Sequence, residues 1–285
     1  MILIPVKCGS RNNHMNRILS NDVRNQSVLF IRSYMMWISM FLTTFFLGLA
    51  ANPLALARRQ AAVHHVARAW GKAMARLSGA HIIVNNIEQL YRKEPAIILS
   101  NHQSMLDIFV IYAFLNKQFR WMAKSSLFKV PVLGWAMTGA GYIPVERGDR
   151  KKALQSLFHA ADQIKSGKSV VIFPEATIGT SDGGMIPFKK GAFILAKKSG
   201  VTIQPISMWG AHAVLPDMPN RFLPLIFSGS VYVYVHRPIS PEEYAHMSPE
   251  ELSEYVRKII EEPILRHMEN QSAALSETSA RSLPA

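Results

Sequence analysis

The stretch Ala96-Ile-Ile-Leu-Ser-Asn-His-Gln-Ser-Met-Leu-Asp107 joins a short apolar run to a polar turn, and it decides the fold class. The run Ala96–Ser100 is typical of a buried strand. The turn that follows carries His102 and Asp107 at the strand end, where α/β folds place exposed, reactive side chains. The sequence therefore predicts an α/β domain with a candidate site at the end of this strand.

The spacing of His102 and Asp107 constrains how their side chains can meet. On a continuous helix an offset of five residues corresponds to about 140°. His102 must therefore precede the helix, and Asp107 must lie in its first turns. Asp107 can then accept a hydrogen bond from one ring nitrogen, and the other nitrogen can take a proton from a hydroxyl. On this segment alone, a structural histidine with an unrelated acid nearby stays an open alternative.

Short apolar runs alternate with helical patterns from Pro95 onward, which is typical of a mixed β-sheet flanked by helices. A helix from Asp149 to Ser166 is predicted, with Asp149 as its N-cap and Gly167 at its end. The apolar face predicted for that helix comprises Ala153, Leu154, Leu157, Phe158, Ala161 and Ile164. The predicted strands are Ala96–Ser100, Phe119–Ala123, Ser169–Phe173, Thr202–Ser207 and Val231–His236.

A long apolar segment precedes this body. Between Arg32 and Arg58 there is no charged side chain, and residues 34–51 are apolar nearly all round. A bilayer core of about 30 Å takes roughly 20 such residues, so the segment can span or lie deep in a membrane. Residues 55–57 resemble a signal cleavage site, but the apolar run exceeds the roughly 7–15 residues of a signal core. We therefore predict a retained anchor.

Basic residues flank the apolar segment on both sides, which favours a monotopic arrangement over a simple span. The following stretch, Arg58 to Leu77, has apolar residues at helical spacing. A helix on the membrane surface and a helix docked on the catalytic body both fit that pattern. The predicted organisation is a basic extension (1–33), a membrane-associated segment (34–80), a catalytic domain (81–270) and a disordered tail (271–285), because the tail has few large apolar residues.

The chain is strongly basic, with 32 Lys and Arg against 19 Asp and Glu and a formal charge of +13. Such an excess favours phosphate in nucleic acid, anionic lipid or a phosphorylated substrate. The cations are scattered and no nucleic-acid module is visible, so we expect no nucleic-acid partner. Cys8 is the single cysteine, and no Cys/His cluster has zinc spacing, so we expect no metal.

Further motifs fall at predicted strand ends or loops: Lys124–Trp135, Gly141–Arg147, Phe173–Gly179 and Pro187–Gly191. With the Asn101–Asp107 motif, their order and spacing resemble the glycerolipid acyltransferase family that includes lysophosphatidate acyltransferases, over roughly residues 70–240. The motif at residues 173–178, which we call the third block, reads Phe-Pro-Glu-Gly-Thr-Arg in the family. This chain departs from it at Ala176 and Ile178. The resemblance therefore supports the type of reaction more strongly than it supports the identity of the substrate.

The resemblance implies that His102 is the catalytic base and Asp107 its orienting acid. It also implies a phosphate contact for Arg147, whose guanidinium suits that ligand. The residues expected to bind substrate are Asn101, Lys124, Arg147, Glu175, Thr177 and Lys189.

The activity implied is transfer of a fatty acyl group from acyl-CoA or acyl-ACP to the sn-2 hydroxyl of 1-acyl-sn-glycerol-3-phosphate, giving phosphatidic acid for phospholipid synthesis. The expected partners are membrane lipid, the lysophospholipid acceptor and the thioester donor, with no cofactor. The expected location is the cytoplasmic face of a bacterial inner membrane. Two alternatives stay open: an acyltransferase for another lysolipid such as lyso-ornithine lipid, and an inactive membrane-surface adaptor of the same fold.

Overall fold

The computed structural model of the chain describes residues 23–93, 95–146, 150–218 and 223–281. Residues 1–22, together with the predicted contact Arg147 and the predicted N-cap Asp149, lie outside the described residues. The helices are α1 (Val23–Leu56), α2 (Gln60–Leu77), α3 (Leu106–Phe114), α4 (Leu133–Gly139), α5 (Arg150–Lys165), α6 (Gly191–Ser199), α7 (Ala211–Val214), α8 (Pro241–Tyr244) and α9 (Pro249–Arg281). The strands are β1 (Ala80–Asn85), β2 (Ala96–Ser100), β3 (Phe119–Lys124), β4 (Ile143–Val145), β5 (Ser169–Ile172), β6 (Thr202–Trp209) and β7 (Gly229–Val235).

The strands form one mixed sheet in the order β1-β7-β6-β2-β5-β3-β4. The run from β6 to β4 is parallel, β7 is antiparallel to β6, and β1 is parallel to β7. Ile98 at the centre of β2 pairs with Val171 of β5 and Gln204 of β6. The carboxyl ends of these three strands therefore meet at one edge of the sheet.

Helices cover both faces of the sheet, which explains why every residue of β2 is buried. One core joins α1, α2, α3, α4 and α7 to the first face. A second core joins α5, α6, α8 and α9 to the opposite face. The predicted mixed sheet flanked by helices is confirmed.

Helix α1 contains the predicted apolar segment and lies lengthwise against the helices that cover the first face of the sheet. The Trp37 indole donates to the Pro224 carbonyl at 2.8 Å, and the Trp70 indole of α2 donates to Thr44 at 2.8 Å. Near the end of α1, Ala55 packs against α4. The opposite side of α1 exposes large apolar side chains: Val28, Ile31, Met35, Ile38, Phe41, Leu42, Phe45, Phe46, Leu49 and Leu56. Residues 27–56 are long and apolar enough to cross a membrane.

Helix α2 packs on the body of the protein, with Val63 and Met74 buried. Its closest approach is to α3 at Gly71, where an added Cβ would lie 2.3 Å from the Cβ of Tyr112. Only glycine fits this crossing without moving one of the helices. The sequence left open whether this helix lies on the membrane surface or docks on the catalytic body. In the structure it docks on the body.

The five predicted strands are present, each within a few residues of its predicted bounds, and the helix predicted at 149–166 is α5. Sequence patterning missed β1, which follows α2 after two residues, and β4, which is three residues long and contains Pro144. The structure also differs at the predicted tail, because α9 continues to Arg281. Residues 271–281 include three Ala together with single Leu, Gln, Glu and Arg residues, all good helix formers, and extending an existing helix requires no new nucleus.

Candidate active site

His102 follows β2 directly, and Asp107 lies in the first turn of α3. This is the placement that their spacing requires. Nδ1 of His102 lies 2.9 Å from Oδ2 of Asp107, and the carboxylate is fully buried. An ionised carboxylate can only accept, so Nδ1 donates and Nε2 keeps its lone pair. The His102 side chain is 13% exposed, which leaves a route for a substrate hydroxyl.

The Asp107 carboxylate is fixed by backbone as well as by imidazole. Its Oδ2 also accepts the N–H groups of Gln103 at 2.6 Å and Ser104 at 2.8 Å. These two donors belong to the turn that connects His102 to α3, which we call the catalytic turn (residues 102–105) after the role expected for His102. The carboxylate therefore fixes the turn and the imidazole together, and neither can reorient without losing hydrogen bonds to the other.

The aromatic ring of Phe173, directly after β5, holds the face of the His102 imidazole. Their ring centroids are 4.1 Å apart and their planes differ by 7°. The ring of Trp121 in β3 stacks in turn on Phe173, with 5.4 Å between their centroids. Three neighbouring parallel strands thus contribute one ring each to a stack that sets the plane of the imidazole.

Glu175 is buried beside the catalytic turn, at 1% exposure. Its Oε1 accepts the N–H of His102 at 2.8 Å, and its Oε2 accepts the N–H of Ile186 at 2.9 Å. Burial raises the pKa of Glu175 to about 7, whereas these two donors act in the opposite direction. Glu175 therefore ties the catalytic turn to the loop before α6. The substrate contact expected for it stays a prediction.

The remaining polar side chains of the turn bind the backbone of β6 and α7. The Asn101 amide donates to the Met208 carbonyl and accepts the Met208 N–H, at 2.9 and 2.7 Å. Ser104 donates its hydroxyl to the Leu215 carbonyl at 2.6 Å. Asn101 is fully buried, so these bonds occupy the amide that the sequence suggested for substrate binding.

Gln103 links the catalytic turn to two other segments. Its amide nitrogen donates to the Gly183 carbonyl at 2.7 Å, and its amide oxygen accepts the Gly210 N–H at 3.0 Å. Nδ1 of His212 lies 3.2 Å from the same oxygen. Burial lowers the pKa of His212, while the charges of Asp107 and Asp182 oppose the shift. No sequence pattern indicated a role for Gln103, His212 or Phe173, because their partners come from distant segments.

The other predicted site residues lie around this centre. Lys124 ends β3 and is exposed, as is Thr177. Lys189 is exposed and donates its backbone N–H to the Pro174 carbonyl at 2.8 Å. Ala176 has φ +62°, a left-handed conformation that glycine adopts with less strain. The backbone of Lys189 is thus held beside the third block, and the substrate contacts expected for Lys124, Thr177 and Lys189 stay predictions.

Within the described ranges, no cluster of three or more His, Cys, Asp or Glu side chains could hold a metal ion. A neutral imidazole with a fixed tautomer and a free Nε2 is suited to general-base catalysis on a hydroxyl.

Comparison with known proteins adds a second line of evidence. A model of the Acyltransferase family matches residues 81–209, which extend from β1 to the end of β6. A 1-acyl-sn-glycerol-3-phosphate acyltransferase of Borreliella burgdorferi is 31% identical over 194 residues, covering 67% of this chain and 74% of that protein. The chain belongs to the acyltransferase family. The resemblance drawn from the motifs is thereby confirmed, and the region matched to the family contains the catalytic turn and the third block.

Other members of the acyltransferase family give the same result. A chloroplastic 1-acyl-sn-glycerol-3-phosphate acyltransferase of Arabidopsis thaliana is 35% identical over 177 residues, which cover 62% of this chain. The match spans 48% of that relative, about half its length. The crystal structure of the 1-acyl-sn-glycerophosphate (LPA) acyltransferase PlsC from Thermotoga maritima aligns with a TM-score of 0.70 at 24% identity, covering 84% of this chain and 98% of that one. The two share a fold.

Proposed function

We propose that the protein transfers a fatty acyl group from an acyl thioester, acyl-CoA or acyl-ACP, to the sn-2 hydroxyl of 1-acyl-sn-glycerol-3-phosphate. The product would be phosphatidic acid, a precursor for phospholipid synthesis. The observation that carries the proposal is the 2.9 Å contact between His102 and Asp107, which leaves Nε2 available as a base. The acceptor is supported by the two family relatives described above, both of which are 1-acyl-sn-glycerol-3-phosphate acyltransferases.

In the proposed reaction, Nε2 of His102 takes the proton of the acceptor hydroxyl as its oxygen attacks the thioester carbonyl carbon. Asp107 holds the imidazole and stabilises the imidazolium that forms. Collapse of the tetrahedral intermediate breaks the carbon–sulfur bond, and the departing thiolate takes the proton from the imidazolium. A thiol pKa near 8.5 makes the thiolate a good leaving group, so one base suffices.

General-base catalysis contributes only about 10²–10⁴-fold, so the positioning of two amphiphiles must supply much of the rate. The rigidity of the catalytic turn favours this, because Glu175, Gln103 and Ser104 each bind it to a different segment. The turn is thus held in place before substrate binds.

We propose that α1 attaches the enzyme to one face of the membrane without crossing it. Contacts between α1 and the body extend from Arg32, which donates to Ser228, to Ala55 beside α4. A helix held lengthwise against a folded body can embed its exposed apolar side in the bilayer while the body stays outside. The location expected from this attachment is the cytoplasmic face of a bacterial inner membrane.

The identity of the acceptor has a second candidate because of Ile178. The family's arginine at this position is absent, and with it one cation suited to phosphate. Another lysolipid, such as lyso-ornithine lipid, is therefore the alternative acceptor.

The experiment that tests the proposal measures transfer of a labelled acyl group from coenzyme A thioester to lysophosphatidic acid in detergent. His102→Ala and Asp107→Asn are expected to abolish most activity. The matched controls are His159→Ala and Asp162→Asn, two exposed residues of α5, and these should retain it. Full activity in His102→Ala would contradict the mechanism. Transfer to lyso-ornithine lipid but not to lysophosphatidic acid would keep the reaction and replace the acceptor.

Topology is tested separately by labelling with a membrane-impermeant thiol reagent. Cys8 is first replaced by serine, and single cysteines are then placed at exposed positions on the two flanks of α1. The proposal expects both flanks to be labelled from the same side. Labelling from opposite sides would show that α1 spans the bilayer.

A further inference from the structure

Helices α5 and α6 share an exposed apolar surface that the hydrophobic core does not use. Leu154 and Phe158 of α5 are 48% and 45% exposed, and Ile194 of α6 is 42% exposed. Leu154 and Phe158 belong to the apolar face predicted for α5, so that face is wider than the core requires. A contiguous exposed apolar patch on a folded protein is typical of an interaction site.

The two helices place these side chains next to each other. Leu154 and Phe158 are four residues apart and share one side of α5, as Ile194 and Lys198 do on α6. The ammonium group of Lys198 lies 3.7 Å from the centroid of the Phe158 ring, so the two rows adjoin. We call Leu154, Phe158 and Ile194, with the exposed Lys151, Lys152 and Lys198 around them, the α5–α6 surface.

The charge on these two helices is mostly positive. Helix α5 has four basic residues and α6 has two, whereas Asp162 is the single acid in the two helices. An apolar centre within a basic rim is complementary to a protein that presents apolar side chains among carboxylates. The same basic rim disfavours a second copy of this chain, because a two-fold interface would place like charges opposite each other.

The α5–α6 surface begins at the same edge of the sheet as the candidate active site. Strands β4, β5 and β6 are parallel, so α5 and α6 both begin at the sheet edge that carries His102. The backbone of Lys189, just before α6, donates to the Pro174 carbonyl, and Pro174 follows the ring that stacks on His102. The surface is on the opposite side of the sheet from α1, so a membrane bound by α1 does not cover it.

We propose that the α5–α6 surface docks an acidic carrier protein that delivers the acyl chain as a thioester. This inference rests on the proposed acyl-transfer function and selects the protein-bound donor for this surface. The carrier would bind its acidic helix over Phe158, and its flexible prosthetic arm would reach His102 around the start of α6. The membrane side would remain free for the lysolipid acceptor.

The test measures binding of fluorescently labelled palmitoyl-acyl carrier protein by anisotropy, together with KM for palmitoyl-acyl carrier protein and for palmitoyl-CoA. Phe158→Ser and the double variant Lys151→Glu/Lys198→Glu are expected to raise Kd and the carrier KM by about tenfold or more, and to leave the KM for palmitoyl-CoA unchanged. The matched control, Lys93→Glu/Lys258→Glu, makes the same charge change at exposed lysines outside the surface and should behave as wild type.

Equal carrier binding by wild type and both variants would overturn the proposal, as would no binding by wild type. Loss of binding to vesicles containing phosphatidylglycerol, with carrier binding intact, would make the surface a membrane contact instead. Because anisotropy needs no turnover, the two proposals fail separately. Transfer from palmitoyl-CoA without carrier binding removes only the docking surface, whereas surface-dependent binding without transfer from either donor removes only the acyltransferase activity.

Discussion

The imidazole of His102 lies flat on the ring of Phe173, with 4.1 Å between the ring centroids and 7° between the planes. Asp107 fixes the tautomer of the imidazole through Nδ1, and Phe173 fixes its plane. A phenyl face also favours the cationic form of a stacked ring, which is the form the proposed reaction creates. A residue in the first turn of α3 and a residue that follows β5 thus control different properties of one base.

Replacing Phe173 by leucine keeps an apolar side chain but removes the aromatic face. Aromatic pairs contribute about 0.5–1.5 kcal/mol, so kcat is expected to fall roughly 2- to 10-fold. KM should change little, because the stack orients the base and does not contact the acyl chain in the proposed mechanism. Steady-state kinetics of Phe173→Leu measure both constants, with Phe188→Leu in the other core as the control. An unchanged kcat would show that the stack has no catalytic effect.

Gln103→Met preserves the side-chain size and leaves the Gly183 carbonyl and the Gly210 N–H without partners. Each buried group left unpaired costs about 1–3 kcal/mol, so the variant should be less stable and have a lower kcat. Gln103→Glu keeps an acceptor for Gly210 but buries a carboxylate against the Gly183 carbonyl, so it should lose more stability and more kcat than Gln103→Met. Urea unfolding and kcat, measured on both variants, check the order. Equal behaviour of the two would contradict the role of Gln103 as a link between segments.

Ala176→Gly is expected to stabilise the protein. The left-handed conformation costs a non-glycine residue about 1–2 kcal/mol, whereas glycine costs about 0.5–1 kcal/mol in chain entropy. The net gain in the free energy of unfolding is up to about 1.5 kcal/mol, measured by urea denaturation. The control, Ala73→Gly inside α2, should destabilise by a similar amount. A loss of stability in Ala176→Gly would show that its methyl group packs usefully.

Acid should destabilise the protein through His64. Nδ1 of this buried histidine lies 3.0 Å from the Tyr142 hydroxyl, and burial lowers its pKa from 6.5 to about 3. His64 therefore binds a proton near pH 6.5 in the unfolded chain but only near pH 3 in the folded chain. The contribution of neutral His64 to the free energy of unfolding is fully present above pH 6.5. It is lost as the pH falls toward 3, by up to about 1.4 kcal/mol per pH unit.

His64→Gln isolates this effect, since an amide can also bind the Tyr142 hydroxyl and has no proton to gain. Urea unfolding between about pH 7.5 and pH 4.5 should show a shallower loss of stability in the variant than in wild type. His236, whose pKa burial lowers to about 4, is present in both proteins, so the difference reports on His64. Parallel pH curves would show that His64 does not contribute.

Local pattern was sufficient to predict most of the elements and the contact between His102 and Asp107, whose catalytic role stays a prediction. Apolar runs marked β2, β3, β5, β6 and β7, and the offset between His102 and Asp107 required a turn between strand and helix. These predictions succeed because periodicity and short loops are properties of consecutive residues. They also fixed the mixed α/β class, which the family match supports.

Only the tertiary structure decided which distant groups meet. The sequence alone gave no indication that Glu175 would bind the His102 backbone, that Phe173 would stack on the imidazole, or that Gln103 would join Gly183 to Gly210. These contacts depend on the order of strands in the sheet. The exposure of Phe158 was equally hidden, because an apolar residue on a predicted core face is buried only if another element reaches it. Sequence determines which faces are apolar, and the packing of whole elements determines which of those faces is left for a partner.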